Sequence, residues 1–171
     1  MEPMVEFIKK ENPDILALQE VYDSSDLSLE YPYIHHAPEF LHINGTERHV
    51  MGNAVFSEFP ITASDVVFYD KPFGEAYESK RETYKDFPRN LQHVEIDADG
   101  TILNVFNTHG VWGEDGGDNE ARLAMSAKII GAVNSKENVT SSAIWSIFSR
   151  ANERRASICA AKTLPATPHR S

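Results

Sequence analysis

Pro13-Asp-Ile-Leu-Ala-Leu-Gln-Glu-Val21 is the stretch on which the fold turns. Ile15, Leu16, Ala17 and Leu18 make a short continuous apolar run. Such a run is expected of a strand buried on both faces, where alternation is not needed. It ends in Gln19-Glu20, polar residues placed at the carboxyl end of the strand. Upstream, residues 2–11 read as most of a short helix. Pro3 suits a first helical turn, Val5 and Ile8 share a face, and Asn12-Pro13 ends it. A helix followed by a doubly buried strand points to an α/β architecture.

Downstream, residues 23–50 read as a long polar loop-like stretch holding Tyr31-Pro-Tyr33 and His35, His36, His42 and His49. Ala54-Val-Phe56 predicts a second strand, broken at Pro60, and Ile61 to Tyr69 a third. Residues 70–88, with Pro72, Gly74 and many charges, read as loop. Asn90 to Ile96 and Thr101 to Thr108 predict two strands joined at Asp97-Ala-Asp-Gly100, because Asp-Gly between apolar runs is a strong hairpin signal. A glycine-rich acidic loop follows from Trp112 to Gly117. Asp118 is expected to cap a helix that runs to about Asn134, with Leu123, Ile130 and Val133 as its apolar stripe beside Ala124 and Ala127.

The 171 residues carry 16 Lys+Arg and 26 Asp+Glu, a net charge of −10. Residues 140–171 hold five of the basic residues and one acidic residue, so residues 1–139 carry a net −14. An acidic body lacks the electrostatic footprint of a nonspecific nucleic-acid binder. It leaves open a phosphate ester handled at one metal-neutralised spot. The single Cys159 excludes an internal disulfide and a cysteine-based zinc site. No apolar run of about 18 residues is present, and the N-terminus has no basic region followed by an apolar one. The expectation is a cytoplasmic protein with no transmembrane segment.

Three positions can carry chemistry. Glu20 either faces solvent or holds a hard cation at a strand end, where α/β sheets place their ligands. His109, just past a buried strand in Asn104-Val-Phe-Asn-Thr-His-Gly110, either bonds to a loop or serves a phosphoryl or leaving oxygen. Arg89, at a strand mouth after Pro88, is either a solvated charge or a phosphate clamp. The four histidines are too irregularly spaced for zinc and read as solvated loop residues. Glu114, Asp115, Asp118 and Glu120 lack the alternation of a calcium loop. Asn44-Gly-Thr46 and Asn138-Val-Thr140 match glycosylation sequons without a secretory signal to support them.

Taken in order, Pro13 to Val21, Gly52-Asn-Ala-Val-Phe-Ser-Glu-Phe-Pro-Ile61, Arg89-Asn-Leu-Gln-His-Val-Glu-Ile96, Val105-Phe-Asn-Thr-His-Gly110 and Asn119-Glu-Ala-Arg122 resemble the endonuclease/exonuclease/phosphatase superfamily of metal-dependent phosphoesterases. The resemblance covers about residues 3–139. It implies a partial four-layered α/β sandwich, two mixed β-sheets packed face to face with outer helices. It implies hydrolysis of phosphodiester or phosphomonoester bonds with Mg²⁺ (or Mn²⁺), Glu20 as metal ligand, His109 at the scissile phosphate or leaving oxygen, and Arg89 on the substrate phosphate. Asn53 falls at a position taken as structural. The family's opening strand ending in Asn, its Gly-Asp-Phe-Asn and its Ser-Asp-His do not occur in these 171 residues. The domain organisation read from this is an incomplete family domain over 1–139 and an atypical basic tail over 140–171, poorly ordered apart from an amphipathic turn or two around Ile144, Trp145, Ile147 and Phe148. The chain reads as truncated at its start and derailed after Val139, by a frameshift or a wrong gene model, or as a natural reduced protein with a new tail. The substrate is a small, lipid-linked or nucleic-acid phosphoester, and no protein partner is implied. The rival function is a non-catalytic binding fragment.

Overall fold

A computed structural model describes residues 2–22, 29–74, 76–78, 85–111, 119–136, 141–147 and 159–161. Its elements are α1 (Glu2–Glu11), β1 (Ile15–Val21), β2 (Tyr33–Asn44), β3 (Glu47–Ser57), β4 (Ile61–Phe68), β5 (Ala76–Glu78), β6 (Asn90–Ala98), β7 (Thr101–His109), α2 (Glu120–Asn134), β8 (Ser141–Ile147) and β9 (Cys159–Ala161). They form two mixed sheets, one in the order β5-β2-β3-β1-β9 and the other β4-β6-β7-β8.

Three apolar clusters set the layering. Ile15 and Ala17 of β1 and Val55 of β3 pack against Val94, Ile96 and Val105 of the other sheet. The opposite face of β1, Leu16, Leu18 and Val21, packs with Ala54, Phe56 and Ile8 of α1. Phe106 and Leu91 pack with Met125 and Ile129 of α2. The result is helix, sheet, sheet, helix. The apolar run of β1 is explained by this: one side meets the other sheet, the other side meets α1.

The β6–β7 hairpin turns at Asp99 and Gly100, both at positive φ (53° and 85°), as a two-residue turn matched to strand twist requires. Two other expectations are overturned. The stretch 23–50 is not a loop over its second half. Residues 33–44 and 47–57 form the longest strand pair, turned at Gly45 and Thr46. Pro38 and the register shift between Pro38 and Phe40 hide β2 in the sequence, because a bulge breaks the period-two pattern and tolerates proline. Asn44-Gly45 was a hairpin signal. Ala76–Glu78, within the stretch read as loop, adds a short parallel strand beside β2.

Of the stripe assigned to α2, Val133 packs partly buried against the core and the other two residues do not. Arg122, Met125 and Ile129 are its buried residues, whereas Leu123 and Ile130 are 59% and 60% exposed. The face is set by contact with Leu91 and Phe106, and the two faces of this helix are almost equally apolar. Asn119, not Asp118, caps it, its Oδ1 accepting from the Arg122 N–H at 3.0 Å. Residues 112–118, which hold Asp118 and the acidic loop, lie outside the described residues, as do 137–140 and Phe148. The turn expected around Ile144, Trp145 and Ile147 is a strand instead: β8 lies parallel to β7, with α2 as the crossover between them. Among the described residues, no helix is long and apolar enough to cross a membrane.

Candidate active site

Glu20 and His109 come from different sheets and meet at one end of the sandwich. β1 and β7 each deliver their carboxyl ends there. Buried amides hold the two strands in register across the interior: Gln19 Nε2 donates to Asn107 Oδ1 at 3.0 Å, and Asn107 Nδ2 donates to the Leu18 carbonyl at 2.9 Å. The ladder between β1 and β3 slips between Leu18 and Val21, and Glu20 inside that slip has φ 56°. A left-handed residue at a bulge re-aims its side chain out of the ladder. The Glu20 side chain is 52% exposed, and its Oε1 lies 3.8 Å from His109 Nε2.

His109 is buried, and its Nδ1 has no hydrogen-bond partner among the described residues. Burial holds its pKa well below the usual 6.5, and the positive Arg89 adds to the effect. At neutral pH the ring is therefore uncharged. It does not repel a cation at Glu20, and one ring nitrogen is left to accept. Past His109 the chain is pinned to α2: the Arg122 Nε–H donates to the Val111 carbonyl at 3.2 Å.

Arg89 is not a solvated charge. It is 6% exposed, and Nη1 donates to Glu39 Oε2 at 2.7 Å. Glu39 is fully buried. Its Oε1 accepts from Asn53 Nδ2 and from the Asn90 backbone N–H, each at 3.2 Å. Asn53 also donates to Asn90 Oδ1 at 2.9 Å. Burial pushes the Glu39 pKa up, while the Arg89 charge and the donated hydrogen bonds pull it down and the charge of Glu20 pushes it up again. This pair ties β2 to the residue that leads into β6. Arg89 Nε is buried with no partner among the described residues.

Sequence reading missed Glu39 entirely. Its signal was a lone carboxylate inside the apolar frame Ala37-Pro-Glu-Phe40, and that frame was read as loop. The four histidines lie on β2 and β3, not in a solvated loop. Gln92 Nε2 lies 2.8 Å from both His35 Nδ1 and the His35 carbonyl, and His42 is buried. Among the described residues no group of three His, Cys, Asp or Glu gathers to hold a metal.

The chain matches the Endonuclease/Exonuclease/phosphatase family over residues 1–155, past Val139, where the resemblance in sequence stops. No curated protein matches it by sequence. Among solved structures, TDP2 from Caenorhabditis elegans is 22% identical with a TM-score of 0.54, over 78% of this chain and 36% of that one. A family protein from Leptotrichia buccalis is 17% identical with a TM-score of 0.53, over 79% and 54%. A mannosyl-6-phosphatase from Bacteroides thetaiotaomicron is 12% identical with a TM-score of 0.51, over 81% and 52%. The chain thus spans about half or less of the length of these structures. The family match and the layered architecture agree: this chain belongs to the endonuclease/exonuclease/phosphatase family, whose members are generally hydrolases of phosphoester bonds.

Proposed function

We propose that the Glu20–His109 end of the sandwich is the metal- and phosphate-binding half of a phosphoesterase site. The observation that supports this most is the pairing of a half-exposed carboxylate with a buried, neutral histidine 3.8 Å away, from two different sheets. Glu20 would hold the Mg²⁺ (or Mn²⁺) implied by the family. One outward carboxylate fits a hard cation that keeps several waters and takes further oxygens from its substrate. When bound, the ion polarises a phosphoryl oxygen and balances its charge.

The chain's own residues do the rest. His109, uncharged at neutral pH, accepts or donates one hydrogen bond at the phosphoryl or leaving oxygen through Nε2. Burial and the Asn107–Gln19 tie keep its strand end in place. Arg89 acts first as the charge partner of Glu39. Its Nε is buried and makes no hydrogen bond among the described residues, one donor that Glu39 does not use. Water activation is not provided within these residues, since the Asp-x-Asn and Asp-His motifs of the family are missing from the sequence. The chain by itself therefore binds metal and phosphate without appreciable turnover. The test is hydrolysis of bis(p-nitrophenyl) phosphate by the 171-residue chain with Mg²⁺, alongside Mg²⁺-dependent binding of inorganic phosphate. Binding weakened by Glu20→Gln, with no turnover, is expected. Mg²⁺-dependent turnover abolished by Glu20→Ala would overturn the inactivity. Phosphate binding indifferent to both Mg²⁺ and Glu20→Gln would overturn the site.

A further inference from the structure

β4 lies at the edge of its sheet. The order is β4-β6-β7-β8, and among the described residues no strand other than β6 pairs with β4. Proteins blunt such edges with proline, with bulges or with lysine on the strand. Pro60 and a bulge between Ile61 and Ala63 do this at the start of β4. From Ala63 to Phe68 the strand has none of the three, and Asp65 is its one charge. Ala63, Ser64 and Asp65 are exposed, and Val67 is 36% exposed.

The ladder fixes which backbone groups face outward. The Tyr69 N–H donates to the Arg89 carbonyl at 3.0 Å, one step beyond the pairing of Phe68 with Asn90. Antiparallel pairs alternate between bonded and non-bonded. Val67 and Asp65 therefore bond to β6, while Ser64, Val66 and Phe68 turn their N–H and C=O groups outward. The side chains alternate as well. Val67 stands opposite Leu91, which packs with Met125 and Ile129 of α2. Val67 and Asp65 thus share the face that α2 covers. Lys128 of α2 reaches the far end of this edge, its Nζ donating to the Phe68 carbonyl at 3.2 Å and to the Tyr69 carbonyl.

We propose that β4 pairs antiparallel with the β4 of a second copy of this chain, about a twofold axis at Val66. Outward groups meet only where even-numbered residues oppose even-numbered ones. An axis at Ser64 runs the pairing into the bulge, and one at Val67 carries it past the end of the strand. An axis at Asp65 sets two carboxylates directly opposite each other. An axis at Val66 sets Val66 against its own copy, Ser64 against Phe68, and Asp65 against Val67. Asp65 then falls beside the Phe68 end of the second copy's strand, on the face where that copy's Lys128 lies. The twofold makes this charge match twice, which singles out a second copy over an unrelated strand. Each edge is used by one partner, so assembly stops at two. The interface is small and the net charge of −10 on each copy opposes it, so the dimer is a weak one. The proposal is independent of the chemistry at Glu20 and His109.

The experiment is analytical ultracentrifugation of the whole 171-residue chain, from about 1 μM to about 1 mM. Salt at about 0.15 M screens the net repulsion beyond about 8 Å. The mass is expected to rise with concentration and to level at two copies. Val66→Pro removes an N–H that β4 does not spend on β6, a change an edge strand tolerates. It is expected to weaken the dimer roughly 10-fold or more. Asp65→Lys sets like charges together and is expected to weaken it roughly 10-fold, and adding Lys128→Asp to it should restore pairing. In the unaltered chain, the Val66 amide should exchange its hydrogen more slowly as concentration rises, whereas the Asp65 and Val67 amides are protected throughout. A monomer at every concentration, a mass that climbs past two copies, or a dimer indifferent to Val66→Pro or to Asp65→Lys would overturn the proposal. So would exchange at Val66 that ignores concentration, a readout that needs no variant to fold.

Discussion

Replacing Arg89 with methionine strands a carboxylate. Glu39 is fully buried, and Arg89 supplies its only positive partner among the described residues, at 2.7 Å. Methionine keeps the stem that packs on Phe40 and Phe87, so the loss is mostly electrostatic. A buried carboxylate without its cation escapes by taking a proton. Burial already holds Glu39 above the ordinary 4.5 in the wild type, so the added cost of holding that proton at pH 7 in the variant is at most about 3.4 kcal/mol, at about 1.4 kcal/mol per unit. This upper bound lies within the roughly 3–5 kcal/mol typical of breaking a buried pair. For a chain of this size it corresponds to a fall of at most about 7–14 °C in Tm. The sign with pH is fixed. The variant's Glu39 titrates higher in the fold than in the unfolded chain, so the penalty shrinks as pH falls towards 4.5, to at most about 1.4 kcal/mol at pH 5.5. Urea unfolding followed by far-ultraviolet circular dichroism, wild type against variant at both pH values, reads this directly. Adding Glu39→Gln to the variant should remove the pH dependence of the difference, because no carboxylate remains to protonate. A penalty under about 1 kcal/mol at pH 7, or one that does not change with pH, would refute the reasoning.

Other consequences follow from the same geometry. His35, His93 and His109 are all held below the usual pKa of 6.5, burial being the largest cause in each. The unfolded chain therefore binds more protons just below pH 6.5, so stability falls as pH drops through that range, by up to about 1.4 kcal/mol per unit for each ring that stays neutral; urea midpoints at pH 7.5 and 5.5 measure it. Gly52→Ala should cost about 3 kcal/mol in the same assay. A methyl there would stand 2.9 Å from the Ala37 carbonyl carbon and the Pro38 Cα, and backbone at a bulge cannot give way. On α2, Met125→Ala should cost about 2–5 kcal/mol, whereas Leu123→Lys and Ile130→Lys should stay within about 0.5 kcal/mol.

The sequence carried some features openly and concealed others for physical reasons. β1 was legible because burial on both faces writes an unbroken apolar run, and the β6–β7 hairpin because Asp99-Gly100 must take positive φ. Glu20 and His109 were legible as strand ends in a family motif. β2 was not, because a bulge at Pro38 destroys its alternation, and with it went Glu39, whose place in the interior depends on pairing with a residue 50 positions later. Arg89 was visible as a charge at a strand mouth, but nothing local shows that it is buried against Phe40 and Glu39. The face of α2 could not be read from spacing, since Leu123 and Ile130 repeat as regularly as Met125 and Ile129 and only the sheet chooses between them.

The most direct test of the central claim uses Mn²⁺ as a paramagnetic stand-in for Mg²⁺, because both favour carboxylate and water oxygens. The account predicts that trace Mn²⁺ broadens the backbone amide signals of Glu20, His109 and Gly110 before any others, and that Glu20→Gln removes this selectivity while leaving the remaining spectrum unchanged. Broadening that is centred elsewhere, or that persists unaltered in Glu20→Gln, would contradict a metal and phosphate site at this end of the sandwich.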